Sequence, residues 1–295
     1  MSPVVFALPE NESLADRVAA ALSASRGELE TRHFPDGESY VRLVSNLAQR
    51  DVLFVCTMDH PDLKFLPLIY AGRTARELGA KRVGLIVPYL AYMRQDKRFR
   101  PGEAVTSRIF AELLSSTYDW LVTVDPHLHR FAAMSEIYKS TVEVCHAAQD
   151  VARWIKSEVD HPLIIGPDSE SQQWVSAVAA TADAPYVTLS KTRLGDRQVQ
   201  ISFPDLGVWQ GRTPVLVDDI ISTGRTMVEA TKALLGRGFP PAVIVAVHGL
   251  FAGDAHPQLL AAGAARIVTT NTVPHRTNTI DVSGLLTAAT QRLIS

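Results

Sequence analysis

Short apolar runs recur along the chain, and most of them empty into a polar loop. Pro3–Leu8, Asp51–Cys56, Val83–Val87, Trp120–Val124, Leu163–Ile165, Tyr186–Leu189, Val215–Val217, Val243–Val247 and Arg266–Thr270 read as buried strands. Between them, apolar residues fall at helical spacing. One such segment is capped by Asn11-Glu12-Ser13 and runs to about Ala24, and a second spans Leu63 to Leu78 with Gly79 as C-cap. Others are Ala104–Leu114, Val151–Val159, Gln173–Ala180, and a stretch marked by Met227, Val228, Ala230, Leu234 and Leu235. Ile280–Ile294 supplies a short strand and a closing helix. Buried strands alternating with helices predict mostly parallel sheets covered on both faces. Pro35-Asp36-Gly37 signals a turn and Tyr40-Val41-Arg42-Leu43 alternates, so on this motif alone the segment reads as a hairpin tip.

The pattern restarts around Cys145–Asp150. A faint repeat supports the division: Leu113-Leu114 precedes His127 by the same interval that separates Leu234-Leu235 from His248. The expected architecture is α/β with two similar domains, 1–145 and 146–295, a size the 295 residues allow. A hydrophobic share of 46% against 20% charged is enough for two cores and argues against disorder. The net charge of −2 leaves no basic excess to release counterions from a nucleic acid, so phosphate binding has to be local. Cys56 and Cys145 match no metal spacing and imply no disulfide framework, which fits a reducing cytoplasm. The Met1-Ser2-Pro3-Val4 start lacks a signal-peptide pattern, and no apolar run approaches the ~20 residues of a membrane span, so no membrane partner is expected.

Candidate chemistry lies in the loops after the strands, where α/β proteins place ligands and where the loops can share a cleft. Val215-Leu216-Val217 runs into Asp218-Asp219, then Ser222-Thr223-Gly224-Arg225-Thr226, then a helix. Backbone N–H groups and hydroxyls beside a helix N-terminus suit a phosphate, and two adjacent carboxylates suit sugar hydroxyls or a magnesium shell. A plain acidic turn with a helix cap would use the same residue types. Arg94, Gln95, Asp96, Lys97 and Arg98 form a cation-rich loop with aromatic neighbours, able to stack on a base or pair with phosphate. His127, after a strand, is a candidate for phosphate or magnesium-bound water; Asp168 follows another strand. Lys191 and Arg193 read either as an ordinary charged hairpin or as cations for a phosphoryl group. There is no Walker loop, dinucleotide fingerprint or nucleophile elbow, so the inventory points to phosphoryl or pyrophosphoryl transfer by positioning and electrostatics.

Phe34-Pro35-Asp36-Gly37-Glu38, Pro88–Asp96, Val124-Asp125-Pro126-His127, Val217–Thr226, His248-Gly249-Leu250-Phe251 and Thr270–Pro274 occur in an order that resembles the ribose-phosphate pyrophosphokinases. The likeness is nearer to the shorter archaeal-type members. It implies two phosphoribosyltransferase-like (Rossmann-like) domains and the conversion of ATP and ribose 5-phosphate to AMP and 5-phosphoribosyl 1-pyrophosphate, with Mg2+. Carried across, Arg94, Gln95, Asp96 and His127 hold ATP, and Phe34, Asp36 and Glu38 complete the adenine site from a neighbouring subunit of a homo-oligomer, at least a dimer. His127 and Asp168 organise phosphates and magnesium. Asp218 and Asp219 grip the ribose, Ser222, Thr223, Gly224, Arg225 and Thr226 bind the 5-phosphate, and Lys191 and Arg193 close over the β-phosphate from a flexible loop. A type I phosphoribosyltransferase shares the Asp-Asp loop but lacks the Tyr-x-Arg-Gln-Asp segment, and a non-catalytic regulatory relative would have no need of Lys191, Arg193, His127 and Asp168.

Two departures stand out. Arg225 occupies the second Gly place of the Ser-Thr-Gly-Gly-Thr form, where it adds charge or needs a backbone angle that Gly takes freely. Ser169-Glu170-Ser171 replaces a His-Gly-Gly segment near the sugar and magnesium.

Overall fold

The computed structural model describes residues 2–128, 130–167, 171–193 and 199–295, with the backbone alone at 173, 191–193 and 199–201. The chain divides into two compact units: one runs up to His146 and takes back Ser283–Ser295, and the other is Ala147–Val282.

The first unit begins with β1 (Val4–Ala7), α1 (Glu12–Ala21), β2 (Ser25–Arg26), β3 (Leu29–His33), β4 (Ser39–Leu43) and β5 (Asp51–Val55). It continues with α2 (Pro61–Glu77), β6 (Arg82–Ile86), α3 (Thr106–Ser115), β7 (Trp120–Val124) and β8 (Thr141–Cys145). Six strands form one sheet in the order β2-β1-β5-β6-β7-β8, parallel at every junction, while β3 and β4 pair antiparallel as a separate hairpin. Val4, Val5, Phe6, Val52, Leu53, Phe54 and Val55 are fully buried, as strands covered on both faces demand. Gly84 on β6 faces Trp120 on β7, and a Cβ there would fall 2.0 Å from the indole ring. Glycine is therefore what lets the indole lie across the sheet.

The second unit comprises α4 (Ala148–Glu158), β9 (Pro162–Gly166), α5 (Gln172–Ala182), β10 (Tyr186–Thr188), β11 (Ser190–Arg193) and β12 (Val199–Ser202). Then come β13 (Thr213–Ile221), α6 (Arg225–Leu235), β14 (Val243–Gly249), α7 (Ala255–Ala261), β15 (Arg266–Thr270) and β16 (Asn278–Ile280). Its sheet is again six-stranded and parallel, ordered β10-β9-β13-β14-β15-β16. The two-residue period of a strand divides the core. Leu216, Ile244 and Ala246 pack with Met227, Leu234 and Leu259 on one face, whereas Val215, Val217, Val243 and Val245 pack with Val151, Ile155, Val175 and Val178 on the other.

The last helix, α8 (Ser283–Ile294), belongs to the first unit, not to the 146–295 domain expected from the pattern. Its polar partners explain this. Arg82 donates from Nη1 to Leu293 O at 2.9 Å and from Nη2 to Ile294 O at 2.8 Å, which caps the helix's last carbonyls with a cation. Arg292 Nε donates to Glu143 Oε1 on β8 at 3.0 Å.

Candidate phosphate and nucleotide sites

In the second unit β13 does not stop before the acids. The ladder pairs Asp218 with Ala246, Ile220 with His248 and Ile221 with Gly249, because β14 is long enough to supply partners. Both carboxylates lie within the strand and half-buried, and Asp218 Oδ1 accepts the N–H of Asp219 at 3.0 Å. Ser222 and Thr223 follow, and Gly224, at φ +66, caps α6 in the left-handed region. A Cβ at Gly224 would meet nothing closer than 3.5 Å, so the glycine is needed for its dihedral, not for space. Val228 N–H reaches Gly224 O at 2.9 Å as a bond of the first helical turn, and the N–H groups of Arg225, Thr226 and Met227 stand at the amino end of the helix. With the positive end of the helix dipole there, the loop has the features that suit an anion.

Lys191 and Arg193 lie on β11, which pairs antiparallel with β12 (Lys191 with Ile201, Arg193 with Val199). The resemblance implies a flexible loop at these residues; the backbone of 190–193 and 199–202 pairs as a two-stranded ribbon, and residues 194–198 lie outside the described residues. Asp168, Ser169 and Glu170 lie outside the described residues.

In the first unit, Phe34, Asp36 and Glu38 occupy the tip of the β3–β4 hairpin, all exposed. Phe34 N–H donates to Glu38 O at 2.8 Å, Glu38 N–H to Asp36 Oδ1 at 3.2 Å, and Gly37 takes φ +93 at the turn. The Arg32 guanidinium lies 4.4 Å from the ring centroids of both Phe34 and Tyr40. After β6, Leu90, Ala91 and Met93 are buried and anchor the segment that carries Arg94. Gln95 Oε1 accepts from Thr106 Oγ1 at 2.9 Å, and Asp96 is paired with Arg130 at 3.2 Å. Tyr92 bonds Asp62 through its hydroxyl. Gln95 and Asp96 thus hold the loop, and Arg94 is exposed between anchored neighbours. His127, half-buried, follows β7 through Asp125, which takes φ +34.

The amino-terminal part matches the N-terminal domain of ribose phosphate pyrophosphokinase over residues 3–117, and residues 141–271 match a phosphoribosyl transferase domain. The chain is 36% identical to the ribose-phosphate pyrophosphokinase of Methanopyrus kandleri, over 98% of this chain and 99% of that protein. It is 34% identical to that of Saccharolobus solfataricus, over 91% and 93% respectively. The crystal structure of phosphoribosylpyrophosphate synthetase from Mycobacterium smegmatis superposes with a TM-score of 0.86 at 25% identity, covering 100% of this chain and 99% of that one. The chain belongs to the ribose-phosphate pyrophosphokinase family.

Within this family the substitution at Arg225 now has a backbone account. The positive dihedral falls on Gly224, and Arg225 is the first residue of α6 with ordinary helical geometry. No glycine is required at Arg225, and its cation stands at the positive end of the α6 dipole, a placement that a bound anion would offset. The faint repeat, in contrast, does not survive as an equivalence. His127 lies beyond its strand and half-buried, while His248 is inside β14, buried, with Nδ1 2.9 Å from Thr272 Oγ1.

Sequence reading missed His146. Its Nδ1 lies 2.9 Å from Asp125 Oδ1, and this hydrogen bond raises its pKa above the ordinary imidazole value. The signal was the rule that found His127: His146 directly follows β8, whose Cys145 pairs with Val124. His256 and His275, near the phosphate loop, shift the other way: desolvation lowers both, His256 further through the Arg276 charge and His275 through His256 and Arg276. The signs have opposite consequences. His146 contributes stability below the ordinary imidazole range that is lost as pH rises through its raised value; His256 and His275 favour the fold above that range and lose this as pH falls through it.

Proposed function

We propose that the protein transfers the β,γ-pyrophosphoryl group of ATP to the 1-hydroxyl of ribose 5-phosphate, giving 5-phosphoribosyl 1-pyrophosphate and AMP. The reading is carried by the match of nearly the whole chain to ribose-phosphate pyrophosphokinases, with both domain models in sequence. Asp218 and Asp219 take the ribose hydroxyls, and residues 222–226 take the 5-phosphate. Phe34, Asp36, Glu38, Arg94, Gln95 and Asp96 receive the nucleotide, and His127 addresses the ATP phosphates. Lys191 and Arg193 neutralise charge that builds on the transferring group.

Among the described residues, no group of three or more His, Cys, Asp or Glu side chains is gathered to hold a metal. Magnesium fits the site in the way it fits many nucleotide enzymes, on substrate phosphates and one or two carboxylates. Asp168 offers the oxygen ligand, and His127, a poor donor for so hard a cation, would reach a phosphate or a metal-bound water. When bound, the ion would neutralise phosphate charge and orient the leaving group.

Purified protein given magnesium, ATP and ribose 5-phosphate is expected to release AMP. Turnover seen only with a nucleobase and phosphoribosyl pyrophosphate would make the protein a type I phosphoribosyltransferase, and no turnover with either would favour a non-catalytic relative.

A homo-oligomer is part of the proposal. Leu63, Leu66 and Tyr70 lie exposed on one face of α2, at 70%, 50% and 43%, and Ile109 and Leu113 are exposed on α3. The two helices touch through Phe65 and Phe110, ring centroids 5.3 Å apart, so these side chains belong to neighbouring surfaces of one unit. Apolar surface of this kind supports burial against a second copy. Among the described residues no helix is long and apolar enough to cross a membrane. Light scattering is expected to return at least twice the chain mass of 32.2 kDa. A monomer mass with substrates bound would remove this part of the reading.

A further inference from the structure

Behind the phosphate loop is a second loop, continuing the His248–Phe251 segment, to which no role has yet been given. After β14, Leu250 N–H and Phe251 N–H both donate to Ile221 O, at 3.0 and 3.1 Å, and Ala252 N–H donates to Ser222 O at 3.0 Å. Three consecutive amides thus fasten the two residues at which β13 becomes the phosphate loop. Phe251 holds φ +43, a conformation an aromatic residue adopts only when its surroundings impose it.

Those surroundings are two imidazoles. The Phe251 ring lies 4.5 Å from the His275 ring and meets the His256 ring edge-on at 5.4 Å. Its other limit is Gly249, where a Cβ would fall 2.6 Å from the phenyl ring. Each imidazole is itself fixed. His256 Nδ1 is 3.0 Å from Arg276 Nη2; since arginine can only donate, this nitrogen accepts and the ring is neutral. His275 donates its backbone N–H to Asn278 Oδ1 at 2.9 Å, and its Nδ1 accepts the Thr277 N–H at 3.3 Å. Helix α7, which carries His256, also supplies Ala255 and Leu259, the nearest neighbours of Gly224. The wedge and the phosphate loop therefore lean on the same helix.

We propose that Phe251, packed in a triangle of rings with His256 and His275, which lie 5.2 Å from each other, is a positioning residue that holds the Ser222–Thr226 loop in its phosphate-binding conformation. This rests on the reading of that loop as the ribose 5-phosphate site. Phe251 touches no substrate. It acts through the three amide bonds to Ile221 and Ser222, which keep the loop in one conformation before the phosphate arrives. Without the wedge, ordering the loop becomes part of the cost of binding the sugar phosphate. The effect should therefore appear in the binding of one substrate and leave the other alone.

The test is steady-state kinetics with each substrate varied in turn. Wild-type turnover comes first, since its absence would remove the functional reading and leave the wedge unjudged by kinetics. For that case, binding of inorganic phosphate to wild type and variants by calorimetry supplies a readout independent of turnover. Phe251→Ala is expected to raise the KM for ribose 5-phosphate by about tenfold, the scale of one weakened charged hydrogen bond, with the KM for ATP within about twofold of wild type. His275→Ala, which removes one wall and spares Phe251, should move the same constant in the same direction by less. It also keeps the test open if Phe251→Ala does not fold. His275→Phe, which restores a ring, should return the constant toward wild type. An equal rise in both KM values, a fall in kcat alone, or an unchanged KM for ribose 5-phosphate in both alanine variants would overturn the proposal, as would phosphate affinity equal in all four proteins.

Discussion

Lys191→Ala is expected to lower kcat by about 10²- to 10³-fold, the range for removing one preorganised charge partner of a transition state. The KM for ATP should change far less. Negative charge shifts onto the bridging and peripheral oxygens as the β-phosphorus passes from AMP to the sugar hydroxyl, and a cation that arrives with that charge contributes chiefly to the barrier. The position of Lys191 sharpens the expectation. It occupies the second place of β11, its backbone opposite Ile201 in a two-stranded ladder, and Arg193 lies two residues on. Two cations that neutralise the same developing charge act as a unit, so the double variant should lose less than the product of the two single losses. Lys191→Arg keeps the charge and should recover part of the rate. Single-turnover measurements with saturating ATP decide the point: equal losses in ATP affinity and in the chemical step would place Lys191 in ground-state binding and remove the assigned role.

The sheets were legible because their strands are buried on both faces and so read as unbroken apolar runs. Val83–Val87 and Val243–Val247 are such cases, each a strand of the structure. What the pattern concealed was less buried or shorter. β8, Thr141–Cys145, has only its last residue buried and alternates Thr-Val-Glu-Val, so it vanished into the restart near Cys145. β3 is exposed or half-exposed throughout, and α7 is a short helix with Pro257 inside it. The return of α8 to the first unit was invisible for another reason. Nothing in its local sequence names Arg82 or Glu143 as partners, and those contacts join residues more than a hundred positions apart.

The candidate site was legible to the extent that it is local. Strand, acid pair, hydroxyl loop and helix are contiguous, so residues 215–227 read as a candidate phosphate cradle, and Gly224 alone among them carries the unusual dihedral. Gln95 and Asp96 show the limit. Sequence assigns both to ATP but could not name Thr106 and Arg130, to which their side chains bond, partners supplied by α3 and by the segment after β7. His146 and Phe251 show the same limit from the other side. Each acts on a loop that is distant in sequence, and only the parallel register of neighbouring strands brings them together.

Asp219→Asn is the second large effect expected, and it addresses what the acid pair is for. The replacement keeps the shape and exchanges an anionic acceptor for an amide. If Asp219 grips a ribose hydroxyl, the KM for ribose 5-phosphate should rise by about 10- to 100-fold, since a hydrogen bond to a charged group contributes about 1.5–3 kcal/mol. The KM for ATP should stay near wild type. Asp218→Ala should show more than the loss of a sugar contact, because Asp218 Oδ1 also accepts the Asp219 N–H, a bond that Asn could still accept and Ala cannot. A lowered melting temperature is expected for that variant and not for Asp219→Asn. The rival role, a place in a magnesium shell, predicts a different pattern. Asp219→Asn would then raise the magnesium concentration needed for half-maximal rate and leave the sugar KM at saturating metal unchanged, because oxygen ligands of magnesium are felt through the metal and not through the sugar. Varying magnesium and ribose 5-phosphate independently separates the two. The geometry favours the sugar: both acids lie in the strand that feeds the phosphate loop, only Ile220 and Ile221 separate them from Ser222, and a ligand anchored by its phosphate at α6 would extend its ring back along β13.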